Sequence, residues 1–331
     1  MPARDSQRIV IAGASSLLGA ELKSLLEESR FASWDLSLVD EEIAAGTLTE
    51  AAGEPAVIQP VEEGTFDHAN LIFFTGSAAF TERNLPAARA SGAIVIDLSG
   101  AALEVPDASV WFGLDAPGGG SANQKTLNAV PSAPGLATGK LLNALGRAGL
   151  SRIAIVFFRP VSEAGRSGIE ELESQTSHLL SFQSIGQPVF DTQVAFNLLD
   201  HYGPASRENL QAIRARIRRE AAAATEHGVT PSIQVLHAPV FYGYTFVANA
   251  ELKSPQTQEA LAEALRKTGF SLNTAASSPL GNITASGDPA IHLALPENDP
   301  AQPGNWWFWG AADNVRLPAA TAFKLAEKLV A

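Results

Sequence analysis

Cysteine is absent from the sequence, which excludes disulfides, thiolate metal ligation and every reaction that opens with attack by a thiolate. Long apolar runs are absent too: no stretch approaches the ~20 residues of a membrane span, and Met1 to Arg8 hold no apolar signal core. A cytoplasmic protein with no membrane partner is expected. Basic residues are few, 23 Lys and Arg against 35 Asp and Glu, and the net charge of −12 repels phosphate backbones and anionic bilayers. No nucleic-acid partner is expected, which leaves small molecules and other proteins. The six histidines neither pair at helical spacing nor gather with carboxylates, so no metal is expected.

What is present is a folding chain of 331 residues, 46% apolar and 18% charged, with 5 Trp and 16 Phe. At about 150 residues per domain this predicts roughly two domains. Ile9-Val10-Ile11-Ala12 followed by Gly13, and then Leu17, Leu18, Leu22, Leu25 and Leu26 at helical spacing, predict strand, turn and helix. Trp34 to Asp40, Leu71 to Phe74 and Ile94 to Leu98 predict further strands, with a helix over Leu85 to Ala90. Such alternation implies a parallel sheet covered on both faces. After a helix at Ala137 to Leu142 the texture changes to longer strands, Arg152 to Val161 and Ser232 to Leu252, of the kind found in antiparallel sheets. Helices over Ser167 to Phe182 and Ser206 to His227 lie between them. Pro289 to Asn305 reads as loop, and Pro318 to Ala331 as an amphipathic helix through Ala322, Leu325 and Leu329.

Gly13-Ala14-Ser15-Ser16-Leu17-Leu18-Gly19 places small residues where a dinucleotide's pyrophosphate would approach a helix N-terminus. A tight turn with no ligand reads equally from the same residues. Asp40, about twenty residues further on, could accept from a ribose hydroxyl. With Glu41 and Glu42 it would repel the 2′-phosphate of NADP, so NAD is the better electrostatic match; a solvated loop is the plain alternative. Arg214, Arg216, Arg218 and Arg219 lie away from the apolar face Leu210, Ile213 and Ile217, which predicts an exposed, solvated or ion-paired side. His237 and Tyr244 lie on a strand broken by Pro239 and Gly243. Each reads as structural without a partner, and position 248 is Ala where a tyrosine base would want Lys.

These segments resemble one family over nearly the whole chain, the aspartate-semialdehyde dehydrogenases. The matching pieces are the Gly13 to Gly19 loop, Val95-Ile96-Asp97-Leu98-Ser99, Pro160 to Gly165, Ala195 to Leu199, Ala238 to Gly243 and Ala312-Asp313-Asn314-Val315-Arg316. The resemblance implies an α/β chain. An N-terminal Rossmann-like parallel sheet domain, 1–131 plus 313–331, would bind the dinucleotide. A central α+β domain, 132–312, with a mainly antiparallel sheet, would carry catalysis and the dimer interface. It also implies cofactor contacts by Gly13, Ser15, Ser16, Leu17, Leu18, Gly19, Asp40, Gly76, Ser77 and Asn314.

The family's reaction needs a cysteine to form a covalent intermediate. The family motif Asn-Pro-Asn-Cys-Ser corresponds here to Val130-Pro131-Ser132-Ala133-Pro134, which sets Ala133 at the nucleophile, or Leu136 if the following helix anchors the match. Ser132 is adjacent, with no base apparent in the sequence. The family base His corresponds to Tyr244, the carboxylate-clamping Arg to His237, the phosphate-side Arg to Leu103, the substrate-orienting Gln to Arg159 and the Lys of Glu-x-x-Lys to Gln211; Glu208 is retained. On the cofactor side Glu163 replaces a Gly against the nicotinamide and Ile43 the Arg for a 2′-phosphate, while Asn314 is kept. The pattern is similar to the Usg-type branch, which shares Ala238 to Gly243 and has no reaction fixed by its residues.

Three functional expectations follow. One is a dimer that acts by binding or regulation, pairing with itself or with an active paralogue in amino-acid biosynthesis. A second is a repurposed NAD(P)-dependent oxidoreductase or anion-binding enzyme using Arg159, Glu163, Glu208, His237 and Tyr244. The third is a nucleotide sensor retaining NAD affinity without chemistry.

Overall fold

The computed structural model describes residues 7–44, 46–51, 54–114, 126–224, 228–273 and 278–330. The N-terminal segment Met1 to Ser6, the end of the helix expected through His227 and the Ile43 side chain lie outside what is described. The chain divides into two units, Met1–Pro131 with Pro318–Ala331, and Ser132–Leu317.

In the first unit β1 (Arg8–Ala12), β2 (Asp35–Asp40), the short hairpin β3 (Leu48–Ala51) and β4 (Glu54–Val57), β5 (Gln59–Pro60), β6 (Leu71–Phe74), β7 (Ile94–Asp97), β8 (Ser109–Val110) and β9 (Leu127–Ala129) alternate with α1 (Leu17–Glu27) and α2 (Ala78–Ala90). The seven-stranded sheet runs β5-β2-β1-β6-β7-β9-β8 with every pairing parallel. Its central strands are fully apolar, Ile9 to Ala12 and Leu71 to Phe74 being buried on both faces as a covered parallel sheet requires. One face packs Ile9, Ile11 and Phe73 against Leu22 and Leu26; the other packs Val10, Ile72 and Phe74 against Phe80, Leu85 and Ala88. The strand order reverses between β1 and β6, the switch point past whose C-terminal ends open α/β sheets take their ligands. The α2 helix begins at Ala78 rather than Leu85: Ser77 caps it, accepting from the Phe80 N–H, and Pro86 lies inside it.

The second unit holds α3 (Ala133–Arg147), β10 (Leu150–Arg159), α4 (Gly165–Leu180), α5 (Leu210–Ala222), β11 (Ser232–His237), β12 (Tyr244–Leu252), α6 (Gln258–Lys267), β13 (Phe270–Asn273), α7 (Asn282–Ala285), β14 (Ile291–Ala294), β15 (Glu297–Asn298) and β16 (Asn305–Ala312). Helix α8 (Arg316–Leu329) follows, and its Ala319, Ala322, Leu325 and Ala326 join the Ile9 core of the first unit.

The second sheet runs β11-β10-β12-β16-β14-β13 with β15 on β16. It is mixed: β10 with β11 and β13 with β14 are parallel, and the remaining pairings antiparallel. The stretch from Ser232 to Leu252 is therefore two strands on opposite sides of β10, because Pro239 and Gly243 interrupt it and Gly243 turns at φ +85°. The Pro289 to Asn305 loop contains β14 and β15, whose brevity hides them from periodicity. Helices α3, α5 and α6 pack on the strands at one face.

Candidate functional site

In the first unit the loop after β1 is set by close backbone approach. Gly13 takes φ +98°, donates to the Val39 carbonyl at 2.8 Å, and lies so near the turn after β6 that a Cβ would overlap the Gly76 amide nitrogen. A Cβ on Gly19 would stand 2.6 Å from the Gly13 carbonyl oxygen, and the Thr75 hydroxyl donates to that same oxygen at 2.9 Å. Ser16 caps α1, its Oγ accepting from Gly19 N–H at 2.9 Å. Ser15 to Leu18 remain partly open at the N-terminus of α1, where amide groups and the helix dipole favour an anion.

Asp40 is placed differently from a free ribose acceptor. It is 6% exposed, and its two oxygens accept from the Ser15 N–H at 2.8 Å and the Glu41 N–H at 2.7 Å. Its charge organises the loop. Glu41 in turn is paired with Arg83 at 3.0 Å beside the Ser77 hydroxyl. The acidic rim that would repel a 2′-phosphate is thus partly neutralised by a residue the sequence pattern does not single out.

In the second unit, strand register brings most of the expected pocket residues together. Arg159 and His237 are register partners at the ends of β10 and β11. Arg159 is 2% exposed and contacts Glu208 Oε2 at 2.6 Å through Nη2 and the Tyr202 hydroxyl at 3.1 Å through Nη1, while Nε has no partner. Burial opposes its charge, but Tyr202 and Glu208 outweigh burial and hold it cationic. Tyr202 donates onward to His237 Nδ1 at 3.3 Å, and His237 Nε2 donates to the Val194 carbonyl at 3.3 Å, which fixes a neutral ring.

Burial, and secondarily the Arg159 charge, pull the His237 pKa down from 6.5 to about 4. His237 therefore supplies no positive charge to an anionic ligand, contrary to the expectation for a repurposed site, and both Nη groups of Arg159 are engaged by its own chain. The folded pKa lies below the unfolded value, so His237 contributes stability that is present above about pH 6.5 and is lost as pH falls toward about 4. Between pH 7 and pH 4.5 the loss from this residue is about 2 kcal/mol. Urea unfolding of His237→Gln should show a shallower decline than wild type over that range; parallel declines would show an ordinary histidine.

Glu163, in the turn Val161–Ala164, does not pair with Arg159 or His237. Its Oε1 accepts from Asn314 Nδ2 at 3.1 Å and its Oε2 from the Tyr244 hydroxyl at a long 3.4 Å. Burial raises its pKa against the opposing fields of Arg159 and Arg216. Asn314 also accepts from the Gly243 N–H at 2.9 Å, so the retained Asn is a structural clamp in this unit. Tyr244 is 1% exposed, and burial followed by the Glu163 charge lifts its pKa well above 10, which removes it as a base at neutral pH.

A third group gathers at the start of α3. Ala133 is buried in the first turn. Ser132 has a carboxylate partner after all: its Oγ donates to Glu220 Oε2 at 2.6 Å and its N–H to Oε1 at 3.0 Å, across 88 positions of sequence. Arg216 completes the group, its Nε 2.9 Å from Glu220 Oε1, so of the two expectations for this arginine the ion-paired one holds, and the side chain is half-buried. As cap of α3, Ser132 also accepts from Gly135 N–H, and the whole group reads as a helix-start clamp. Gln211 is exposed and joins none of these groups. Tyr202 and Glu220 are the residues sequence reasoning missed; only the i, i+4 spacing of Arg216 and Glu220 offered a signal. Among the described residues no three His, Asp or Glu gather as a metal site, and no helix is long and apolar enough to cross a membrane.

Comparison with known proteins agrees across both units. Residues 8–113 match the semialdehyde dehydrogenase NAD binding domain, and 141–317 the semialdehyde dehydrogenase dimerisation domain. A USG-1 protein homolog of Pseudomonas aeruginosa is 28% identical over 326 residues, 97% of both chains. Aspartate-semialdehyde dehydrogenase 2 of Vibrio cholerae is 26% identical over 339 residues, again 97% of both. The solved structure of a probable aspartate-semialdehyde dehydrogenase from Pseudomonas aeruginosa superposes with a TM-score of 0.86 at 27% identity, covering 98% of each chain. The chain belongs to the semialdehyde dehydrogenase family, as a Usg-type member of its aspartate-semialdehyde dehydrogenase group.

Proposed function

We propose that this protein does not carry out the thiol-dependent reaction of its relatives and works instead as a dimeric binding protein. One observation carries the reading: a chain with no cysteine has, where the resemblance sets base and clamp, a tyrosine held protonated and a histidine held neutral, beside a buried arginine whose two Nη groups are taken by Tyr202 and Glu208. None of these groups is available to take a proton from, or bind the charge of, an incoming aldehyde or acyl phosphate.

The dimer is supported by the sheet face away from α3, α5 and α6. Phe158, Val156 and Ala154 of β10 align with Thr245, Val247 and Asn249 of β12, and the last two with Trp309 and Trp307 of β16. Trp309 and Trp307 are 38% and 42% exposed on this largely apolar surface, which a monomer in water would rarely leave open. The double variant Val247→Asp with Trp309→Glu should weaken self-association by at least about a hundredfold through buried, unpaired charge. Sedimentation at micromolar concentration reads this: wild type as dimer and the variant as monomer support the proposal, and a monomeric wild type overturns it. An active aspartate-semialdehyde dehydrogenase is the second candidate partner for the same face, and native mass spectrometry of a mixture separates mixed from self-paired dimers.

A second reading is favoured by Ser15 to Leu18, which stay partly open at the N-terminus of α1 where an anion is stabilised, with Ser77 at the neighbouring helix start. On this reading the protein senses NAD(P) without reacting with it. Calorimetric titration should give saturable heat with NAD or NADP; none at millimolar nucleotide removes the sensor reading and leaves the dimer reading standing.

A further inference from the structure

We propose that the Ser132–Leu317 unit carries a separate site for a small zwitterion, an α-amino acid with a short apolar side chain, in the cleft between α4 and the segment 186–189. The cleft has a volume of about 330 Å³, at the small end of the range for small-molecule sites. Ser167, Glu170, Glu171 and Ser174, spaced i, i+3, i+4 and i+7, form one wall from a single face of α4. Pro188, Val189 and Arg207 form the other.

The second wall is irregular backbone, yet it is fixed in place. The buried Gln175 donates to the Gly186 and Thr192 carbonyls, both at 3.1 Å, and accepts from Val194 N–H at 2.8 Å. Glu171 Oε2 accepts from Val189 N–H at 2.6 Å, and Arg207 N–H donates to the Val189 carbonyl at 2.9 Å. A wall held by five such bonds needs little further ordering when a ligand arrives.

The charges across the cleft are of opposite sign. Glu171 is 4% exposed, and its carboxylate accepts from the Val189 and Phe190 backbone and the Gln175 amide, which leaves one of its about four lone-pair sites for a ligand. Glu170 beside it and Arg207 opposite have no side-chain hydrogen bond or ion pair among the described residues. Arg207 is close enough to act electrostatically on Glu171. A simple cation meets the guanidinium, and a simple anion meets two carboxylates. A molecule carrying an ammonium and a carboxylate satisfies both walls, and Pro188 and Val189 offer its side chain an apolar surface.

The probes are L-valine and its two deletion analogues, isobutylamine, which lacks the carboxylate, and isovalerate, which lacks the ammonium. Titration of the full chain followed by calorimetry should show L-valine binding, with each analogue at least about tenfold weaker. Arg207→Ala and Glu170→Gln, both at exposed positions, should each weaken L-valine binding while leaving the thermal midpoint unchanged. Glu171→Gln should weaken it too, and its thermal midpoint reports whether the wall has loosened. The proposal is overturned if L-valine, L-alanine and L-threonine all fail to bind at roughly 10 mM, where a weak site would already be filled, or if Arg207→Ala binds L-valine as well as wild type does. Neither outcome bears on the dimer or on nucleotide binding, which rest on other residues.

Discussion

Glu208→Ala is expected to destabilise the protein by about 3 kcal/mol, because it strands a buried guanidinium. Arg159 is 2% exposed and remains cationic, and Glu208 Oε2 at 2.6 Å is its one carboxylate contact. The Glu208 side chain keeps 25% exposure, so water enters to part of the pair and the cost falls at the low end of the roughly 3–5 kcal/mol for breaking a buried ion pair. At this unit size the thermal midpoint should drop by about 6–12 °C. Replacing both partners together, as Arg159→Met with Glu208→Leu, should recover most of the loss, since no charge is left to desolvate. A Glu208→Ala midpoint within about 1 °C of wild type would show that Tyr202 and water alone satisfy Arg159. The same experiment would then reopen Arg159 as a ligand-binding group.

The second large effect is Gly13→Ala, expected to cost about 3 kcal/mol or more and to displace the turn after β6. Two causes act together. The residue sits at φ +98°, where an L side chain is strained, and its new Cβ would meet main-chain atoms of Gly76 and Thr75 that cannot rotate away. Gly92→Ala is the matched control: φ is +77° but nothing lies within 4 Å of its Cβ. It should therefore lose only the conformational part, about 1 kcal/mol. Denaturant midpoints of the two variants separate strain from overlap. Equal costs would mean that the β1 and β6 turns are not packed as described.

What the sequence made legible follows locality. The first strand, turn and helix were readable because Ile9 to Ala12, Gly13 and the leucines of α1 are consecutive and periodic. The start of α2 was not, since Pro86 reads as a first-turn proline and the capping role of Ser77 depends on a hydrogen bond three residues on. The identity of the pocket residues could be listed from the resemblance, but their pairing could not. Arg159 meets Tyr202 and Glu208 across 43 and 49 positions, and Ser132 meets Glu220 across 88, with no pattern linking them. The availability of a charge for ligand is likewise a property of its neighbours: Asp40 looked free until the Ser15 and Glu41 amides were seen to occupy it.

The most direct test is the family reaction itself. Purified protein, at high concentration, is supplied with L-aspartate-β-semialdehyde, phosphate and NADP or NAD, and nicotinamide absorbance is followed against a protein-free blank. Loss of a nucleophile alone costs on the order of 10⁴–10⁶ in rate, so a trace that overlays the blank is the predicted result. Sustained, protein-dependent reduction of the nucleotide at a turnover of about 1 s⁻¹ or faster, the ordinary range for enzymes, would contradict it.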